Sequence, residues 1–122
     1  MTIRGPEERS LRKSADSYCV LGPWLVTRDE IPDPGQVGVK ISVNGAVKQD
    51  AHTSDLILSV AELIAWGSAF YTLHPGDVIL TGTPSGVGPI RPGQVVECTV
   101  EGLGTLANTV TDAEPVSTAA AR

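Results

Sequence analysis

The chain has 122 residues, a formal net charge of -5 and a hydrophobic share of 41%, which suits one domain burying roughly two thirds of the surface its unfolded form exposes. Its apolar runs fall far short of the ~20 residues of a membrane-spanning helix, and its basic residues are dispersed except for Arg9, Arg12 and Lys13, so neither a membrane nor a nucleic-acid partner is expected. The two cysteines, Cys19 and Cys98, stand far apart in apolar stretches. That argues against a disulfide framework or a zinc site and predicts two buried, reduced thiols.

Residues 1–16 are dense in charge (Arg4, Glu7, Glu8, Arg9, Arg12, Lys13, Asp16) and hold no apolar core, so they read as a surface arm, not as a secretory signal. A cytoplasmic location is the resulting default. In residues 18–27, Tyr18, Val20, Leu21, Trp24, Leu25 and Val26 surround Gly22-Pro23, and the proline points to an edge strand or an extended entry. Residues 29–35 carry Pro32, Pro34 and Gly35 and read as a turn-rich connection. Residues 39–43 then alternate, with Val39, Ile41 and Val43 on one face of a strand. Asn44-Gly45 predicts a type I′ hairpin turn, so residues 46–50 return as the antiparallel partner.

Ser59-Val60-Ala61-Glu62 is a capping box. The apolar residues Val60, Leu63, Ile64, Trp66, Phe70 and Tyr71 follow at helical spacing and predict one helix of about fifteen residues, closing at Leu73-His74-Pro75-Gly76. Residues 76–80 read as a buried strand running into the loop Thr81-Gly82-Thr83-Pro84-Ser85-Gly86-Val87-Gly88. Glycine allows a ligand close to the backbone, and three hydroxyls supply uncharged donors and acceptors. A Walker A loop would end in Gly-Lys-Ser/Thr, and a dinucleotide fingerprint would open a helix at its third glycine; Val87-Gly88-Pro89 does neither. Two readings remain at this point, a backbone-lined ligand wall or a tight strand exit with no ligand. Strands follow over residues 95–101, with Val96, Cys98 and Val100 opposite Glu97, Thr99 and Glu101, and over residues 105–110. Residues 111–122 are small and polar and are expected to be disordered. The product is a β-rich domain with one helix.

Among the titratable residues, His74 reads as a helix-end residue facing the carbonyl terminus. His52 reads as a turn residue in the polar knot Thr53-Ser54-Asp55, with no partner at His-x-x-x-His spacing. Glu97 and Glu101 fit a solvated strand face. Arg12-Lys13 with Asp16 fits either a surface ion pair or an arm that orders on a substrate anion.

The motifs Lys13-Ser14-x-Asp16, Leu21-Gly22-Pro23-Trp24-Leu25-Val26-Thr27, Val43-Asn44-Gly45, Gln49-Asp50, Thr53-Ser54-Asp55 and the run Pro75 through Gly88 resemble, in this order, the C-terminal part of the fumarylacetoacetate hydrolase family. The resemblance is nearest to 2-hydroxyhepta-2,4-diene-1,7-dioate isomerase and acylpyruvate hydrolase-like members. It implies an α+β, mostly β fold, a mixed β-roll or sandwich with one main helix, truncated on its N-terminal side. Residues 1–17 are then an arm, 18–110 the catalytic-domain portion and 111–122 a tail. It also implies a homodimeric enzyme of aromatic-compound catabolism using Mg2+, or Mn2+ or Ca2+, on 2-oxo or β-diketo acids, by carbon–carbon bond hydrolysis, decarboxylation or isomerisation. The carried-over positions are Lys13 as the catalytic lysine near metal and substrate carboxylate, and Gly82 and Thr83 as substrate contacts. The family's Glu-x-Glu pair, its following aspartate and its His-Glu pair all lie upstream of the matched segment, so no metal ligand is placed on this chain. The alternative is a non-catalytic binding or oligomerisation module that keeps the fold.

Overall fold

The structure, a computed structural model, describes residues 13–112. Most of the expected arm and tail therefore lies outside the described residues. Within them a four-stranded antiparallel sheet in the order β2-β1-β3-β4 is accompanied by one α-helix, in agreement with the mostly β, α+β expectation. β1 (Gly38–Val43) and β2 (Ala46–His52) meet at Asn44 and Gly45, with φ of 50° and 78°, the pair of positive values a type I′ turn needs. The Asn44 amide also donates to the Val95 carbonyl (2.9 Å), and its Oδ1 accepts from the Val95 amide (2.8 Å). The hairpin tip is thereby fastened to the start of β3 (Val95–Val100), which returns as β4 (Gly104–Thr109).

Register sorts the side chains by face. Gln49, Ile41, Cys98 and Leu106 form one row across the sheet, and Ala51, Val39 and Val100 the next. The opposite face carries Lys40 with Asp50, whose charged atoms are 3.2 Å apart, and Thr99 with Thr105, whose hydroxyls are 2.8 Å apart. Such an exposed ion pair is worth under about 1 kcal/mol. Glu97 and Glu101 are more than a solvated face. Glu97 accepts from the Ser42 hydroxyl (2.9 Å) and Glu101 from the Gly38 amide (3.2 Å), so both brace β1 against β3. One irregularity breaks the β1–β2 ladder. Ile41 faces Gln49 but Ser42 faces Val47, which leaves Lys48 as a bulge.

The helix, α1 (Val60–Ser68), has nine residues, shorter than the fifteen its apolar spacing predicts. It ends because the Ala69 and Phe70 amides turn back to the Trp66 and Gly67 carbonyls (3.2 and 3.1 Å) in a tightened last turn. Packing does not extend it either, because Trp66 and Phe70 stack on each other at 5.2 Å while both remain exposed, and most helical stability comes from a covered apolar face. His74 is consequently not at a helix end. Its amide donates to the Asp77 carboxylate (2.7 Å) in a separate turn.

The capping box is formed: the Glu62 amide donates to the Ser59 hydroxyl (3.3 Å), and the Ser59 amide donates to the Glu62 carboxylate (2.8 Å). The Ser59 hydroxyl, and secondly its amide, hold the Glu62 carboxyl below the usual 4.5. A lowered folded-state value stabilises the helix fully above pH 4.5, and this contribution is lost as pH falls through the lowered value. Ser59→Ala is expected to cost about 1 kcal/mol, and Glu62→Gln should flatten the acid limb of the helical circular dichroism signal. An unchanged acid limb would refute the link.

Two sequence expectations fail together. Residues 76–80 are not a strand, and Val78, Ile79 and Leu80 are 57%, 42% and 72% exposed. The segment has strand composition, but no described strand runs beside it, and a strand without a neighbour leaves its backbone groups to water. The expected sizeable core is also absent among the described residues, where Val37 (7% exposed) is the buried apolar side chain and Gln49 (8%) the buried polar one. Residues 18–27 likewise stay outside the sheet, held to the β3–β4 turn by the Trp24 indole donating to the Leu103 carbonyl (2.9 Å). That leaves Cys19 exposed rather than buried; Cys98 is half-buried, and burial pushes its thiol pKa up. Cys98 is therefore not a prepared nucleophile. No helix among the described residues is long and apolar enough to cross a membrane.

Candidate functional site

The glycine-rich loop lies against β2, and the bulge explains how. Gly86, at φ 100°, packs so closely on the Lys48 carbonyl that an added Cβ would collide with its oxygen and stand 2.9 Å from its carbon. Next to this contact, the Gln49 side chain reaches the loop at three points. Its Nε2 donates to Thr83 Oγ1 (3.0 Å), to the Pro84 carbonyl (2.8 Å) and to the Ser85 carbonyl (3.2 Å). Carbonyl oxygens only accept, so the two carbonyls fix which end of the Gln49 amide faces the loop. The nitrogen next to Thr83 Oγ1 is thus a donor, and its two hydrogens serve three acceptors by sharing one of them.

Gly82, at φ 117°, adopts a conformation that favours glycine, yet a Cβ there would meet nothing within 4 Å. Its amide and carbonyl make no hydrogen bond to another described residue. Gly82 and Thr83 thus present open backbone and one tethered hydroxyl side by side, on a loop held by a buried side chain. Lys13 is exposed and makes no hydrogen bond or ion pair to Gly82, Thr83 or Asp16 among the described residues. Of the three expected site residues, Thr83 is held by Gln49, Gly82 is its chain neighbour, and Lys13 makes no contact of this kind with either.

The remaining candidates resolve as structural. His52 is the last residue of β2 rather than a turn residue; its Nδ1 lies 2.7 Å from Ser54 Oγ and accepts from the Ser54 amide (3.3 Å), capping the turn at Thr53–Asp55. A shallow cleft of about 720 Å³ opens between Trp24, Leu25, Val26, Glu30 and residues 102–104. It shares no residue with the loop and brings no group of convergent polar side chains, so the smaller, polar loop surface is the better site. Among the described residues no three of His, Cys, Asp and Glu are grouped to hold a metal ion. The implied divalent ion therefore does not fit the described part of this chain.

Gln49 is the residue that sequence reasoning missed as a site component. It occurs in the Gln49-Asp50 motif, but nothing in the strand pattern gives it a role. In an unbulged hairpin from Asn44-Gly45 it would pair with Lys40 on the polar face; the Lys48 bulge moves it opposite Ile41.

Comparison with known proteins gives this geometry a context. Residues 2–111 match the family described as "Fumarylacetoacetate (FAA) hydrolase C-terminal". The chain is 62% identical over 106 residues to a maleylpyruvate hydrolase of Aquipseudomonas alcaligenes, covering 87% of this chain and 37% of that protein. It is 46% identical over 107 residues to a mitochondrial oxaloacetate tautomerase of Xenopus laevis, covering 82% and 34%. Among solved structures it superposes on a maleylpyruvate hydrolase from Sphingobium sp. SYK-6, crystallised in complex with manganese(II) and pyruvate, with TM-score 0.82 and 41% identity over 86% of this chain and 40% of that one. The chain thus spans little more than a third of the length of these two sequence relatives, which are named enzymes. By the extent of that match and by these identities, the chain belongs to the fumarylacetoacetate hydrolase family.

Proposed function

We propose that this chain forms one wall of the active site of a divalent-metal-dependent enzyme acting on 2-oxo or β-diketo acids. The observation that carries the reading is the Gly82–Thr83 surface, pinned to the sheet by Gln49 in a chain of this family. Open glycine backbone and a hydroxyl suit a carboxylate oxygen, since they add donors without adding charge. Lys13 supplies the compact positive charge that opposes an enolate developing at the 2-oxo group, whether the bond then broken is to carbon, to carboxylate or to hydrogen. The ion, Mg2+ or Mn2+, is held by acidic residues outside the described ones, because the described residues do not form such a site. The wider proposal is a cytoplasmic homodimer.

The test is turnover of acylpyruvates and oxaloacetate with Mg2+, by this chain alone and by this chain joined to the portion of the Aquipseudomonas alcaligenes relative that it does not span. Activity is expected only in the joined protein, with Lys13→Ala lowering kcat by 10²-fold or more. Absence of turnover in the joined protein rejects the reading. The apolar exposure of residues 78–80 favours one second reading, a non-catalytic module that pairs with another chain. Light scattering tests this second reading, since a strictly monomeric, well-folded chain rejects the module, and turnover by the joined protein is what favours the first.

A further inference from the structure

We infer that Gln49 is a positioning residue that orders residues 83–85 and biases the Thr83 hydroxyl toward donating to an anionic or carbonyl oxygen. The inference rests on the loop being a substrate wall, as proposed above, and deepens it by naming what the wall selects. A threonine hydroxyl left alone rotates to suit its ligand, donating to an acceptor or accepting from a donor. Here Nε2 of Gln49, an amide nitrogen that donates and does not accept, stands 3.0 Å from Thr83 Oγ1 and divides its two hydrogens among that oxygen and the Pro84 and Ser85 carbonyls. The Thr83 proton is directed away from Gln49. What approaches from the open side meets an O–H polarised toward donation by the bond Oγ1 already accepts, which favours a carboxylate or 2-oxo oxygen over an ammonium or amide N–H, for which one lone pair remains.

The same side chain makes the loop rigid enough for that polarity to matter. Gln49 is almost fully buried, on the face of the sheet that carries Ile41 and Cys98. It spends its amide hydrogens on three consecutive loop residues, 83 to 85, while Gly86 closes on the adjoining Lys48 carbonyl. A buried amide without these acceptors would be strongly disfavoured, so loop and side chain hold each other.

The test uses the full chain, isotope-labelled, with sodium pyruvate and its methyl ester as probes at millimolar concentration. Three proteins are compared by nuclear magnetic resonance: the unaltered chain, Gln49→Leu and Thr83→Val, with the β1–β3 cross-strand signals reporting that each is folded. The Gln49 side-chain amide should exchange with solvent at least tenfold more slowly than those of Gln36 and Gln94, and Gln49→Leu should drop the order parameters of residues 83–86 from about 0.85 to below 0.6. Pyruvate should shift the Gly82 and Thr83 amides in the unaltered chain, with the ester shifting them several-fold less. Thr83→Val should keep the loop ordered through Pro84 and Ser85 yet lose the pyruvate shifts, which a merely structural role for Gln49 and Thr83 does not predict. A rapidly exchanging Gln49 amide, a loop that stays ordered in Gln49→Leu, or undiminished pyruvate shifts in Gln49→Leu or Thr83→Val would overturn the inference. An ordered, latched loop with no pyruvate shift in the unaltered chain rejects the substrate-wall reading, and with it the selectivity inferred here, while leaving the Gln49 geometry as the part that held.

Discussion

Gly86→Ala is expected to detach the glycine-rich loop from the sheet, at a cost of roughly 2–6 kcal/mol, whereas Gly82→Ala four residues earlier costs only about 1–3 kcal/mol. Both glycines sit at positive φ, 100° and 117°, so both substitutions carry backbone strain. They differ in what a methyl group meets. At Gly82 there is nothing within 4 Å, but at Gly86 it runs into the Lys48 carbonyl, with the Gln49 side chain 3.2 Å away. Main chain in the middle of a hairpin cannot step aside as a flexible side-chain tip can, so the loop has to move. Once it moves, the Gln49 amide loses its three acceptors while still half enclosed, which adds the penalty of an unpaired buried polar group, about 1–3 kcal/mol if it finds no water. Urea unfolding of the two variants beside the unaltered chain measures the difference. Equal costs for Gly82→Ala and Gly86→Ala would show that the loop does not rest on the bulge.

The parts of this architecture visible in the amino-acid sequence are those set by local chemistry. Asn44-Gly45 specifies its turn through the positive φ of both residues, and Ser59 with Glu62 specifies its cap through two reciprocal hydrogen bonds. The strand alternation of Val96, Cys98 and Val100 needs only the two-residue period. What escaped is set by neighbours. Val78, Ile79 and Leu80 have the composition of a buried strand, but a strand exists only by pairing, and composition does not say whether a partner is at hand. The same holds beyond the end of α1, where Phe70 and Tyr71 keep helical spacing but stay exposed, Phe70 against an equally exposed Trp66. The site was half legible. Gly82, Thr83 and Gly86 announce a permissive loop, but the residue that fastens it, Gln49, reaches its face through a single bulge at Lys48. An inserted residue has no signature in a hydrophobic pattern that resumes correctly on either side.

The amides of residues 78–80 are expected to exchange with solvent in the isolated chain nearly as fast as in an unfolded peptide, and to gain at least 100-fold protection when the remainder of a family domain is supplied. The expectation follows from what the segment lacks. It is apolar, belongs to no helix or strand and is unpaired, so its amides are left to water and its three large side chains are exposed. Burying those side chains is worth roughly 1.5–3 kcal/mol each. Part of that gain is consumed in ordering the segment and the arriving chain, and 100-fold protection asks for only about 2.7 kcal/mol of it, at 1.4 kcal/mol per tenfold. The sheet amides of β1 and β3 provide the internal reference, because their ladder is complete without any addition. They should change far less than residues 78–80 when the unspanned portion of the Aquipseudomonas alcaligenes relative is added. A second copy of this chain is the competing occupant, and it predicts protection that rises with the concentration of the chain alone. Protection already present in the dilute isolated chain would mean that residues 78–80 have found a partner within it. Protection absent from a joined protein that turns over substrate would mean that the exposed segment is a free surface of the working enzyme.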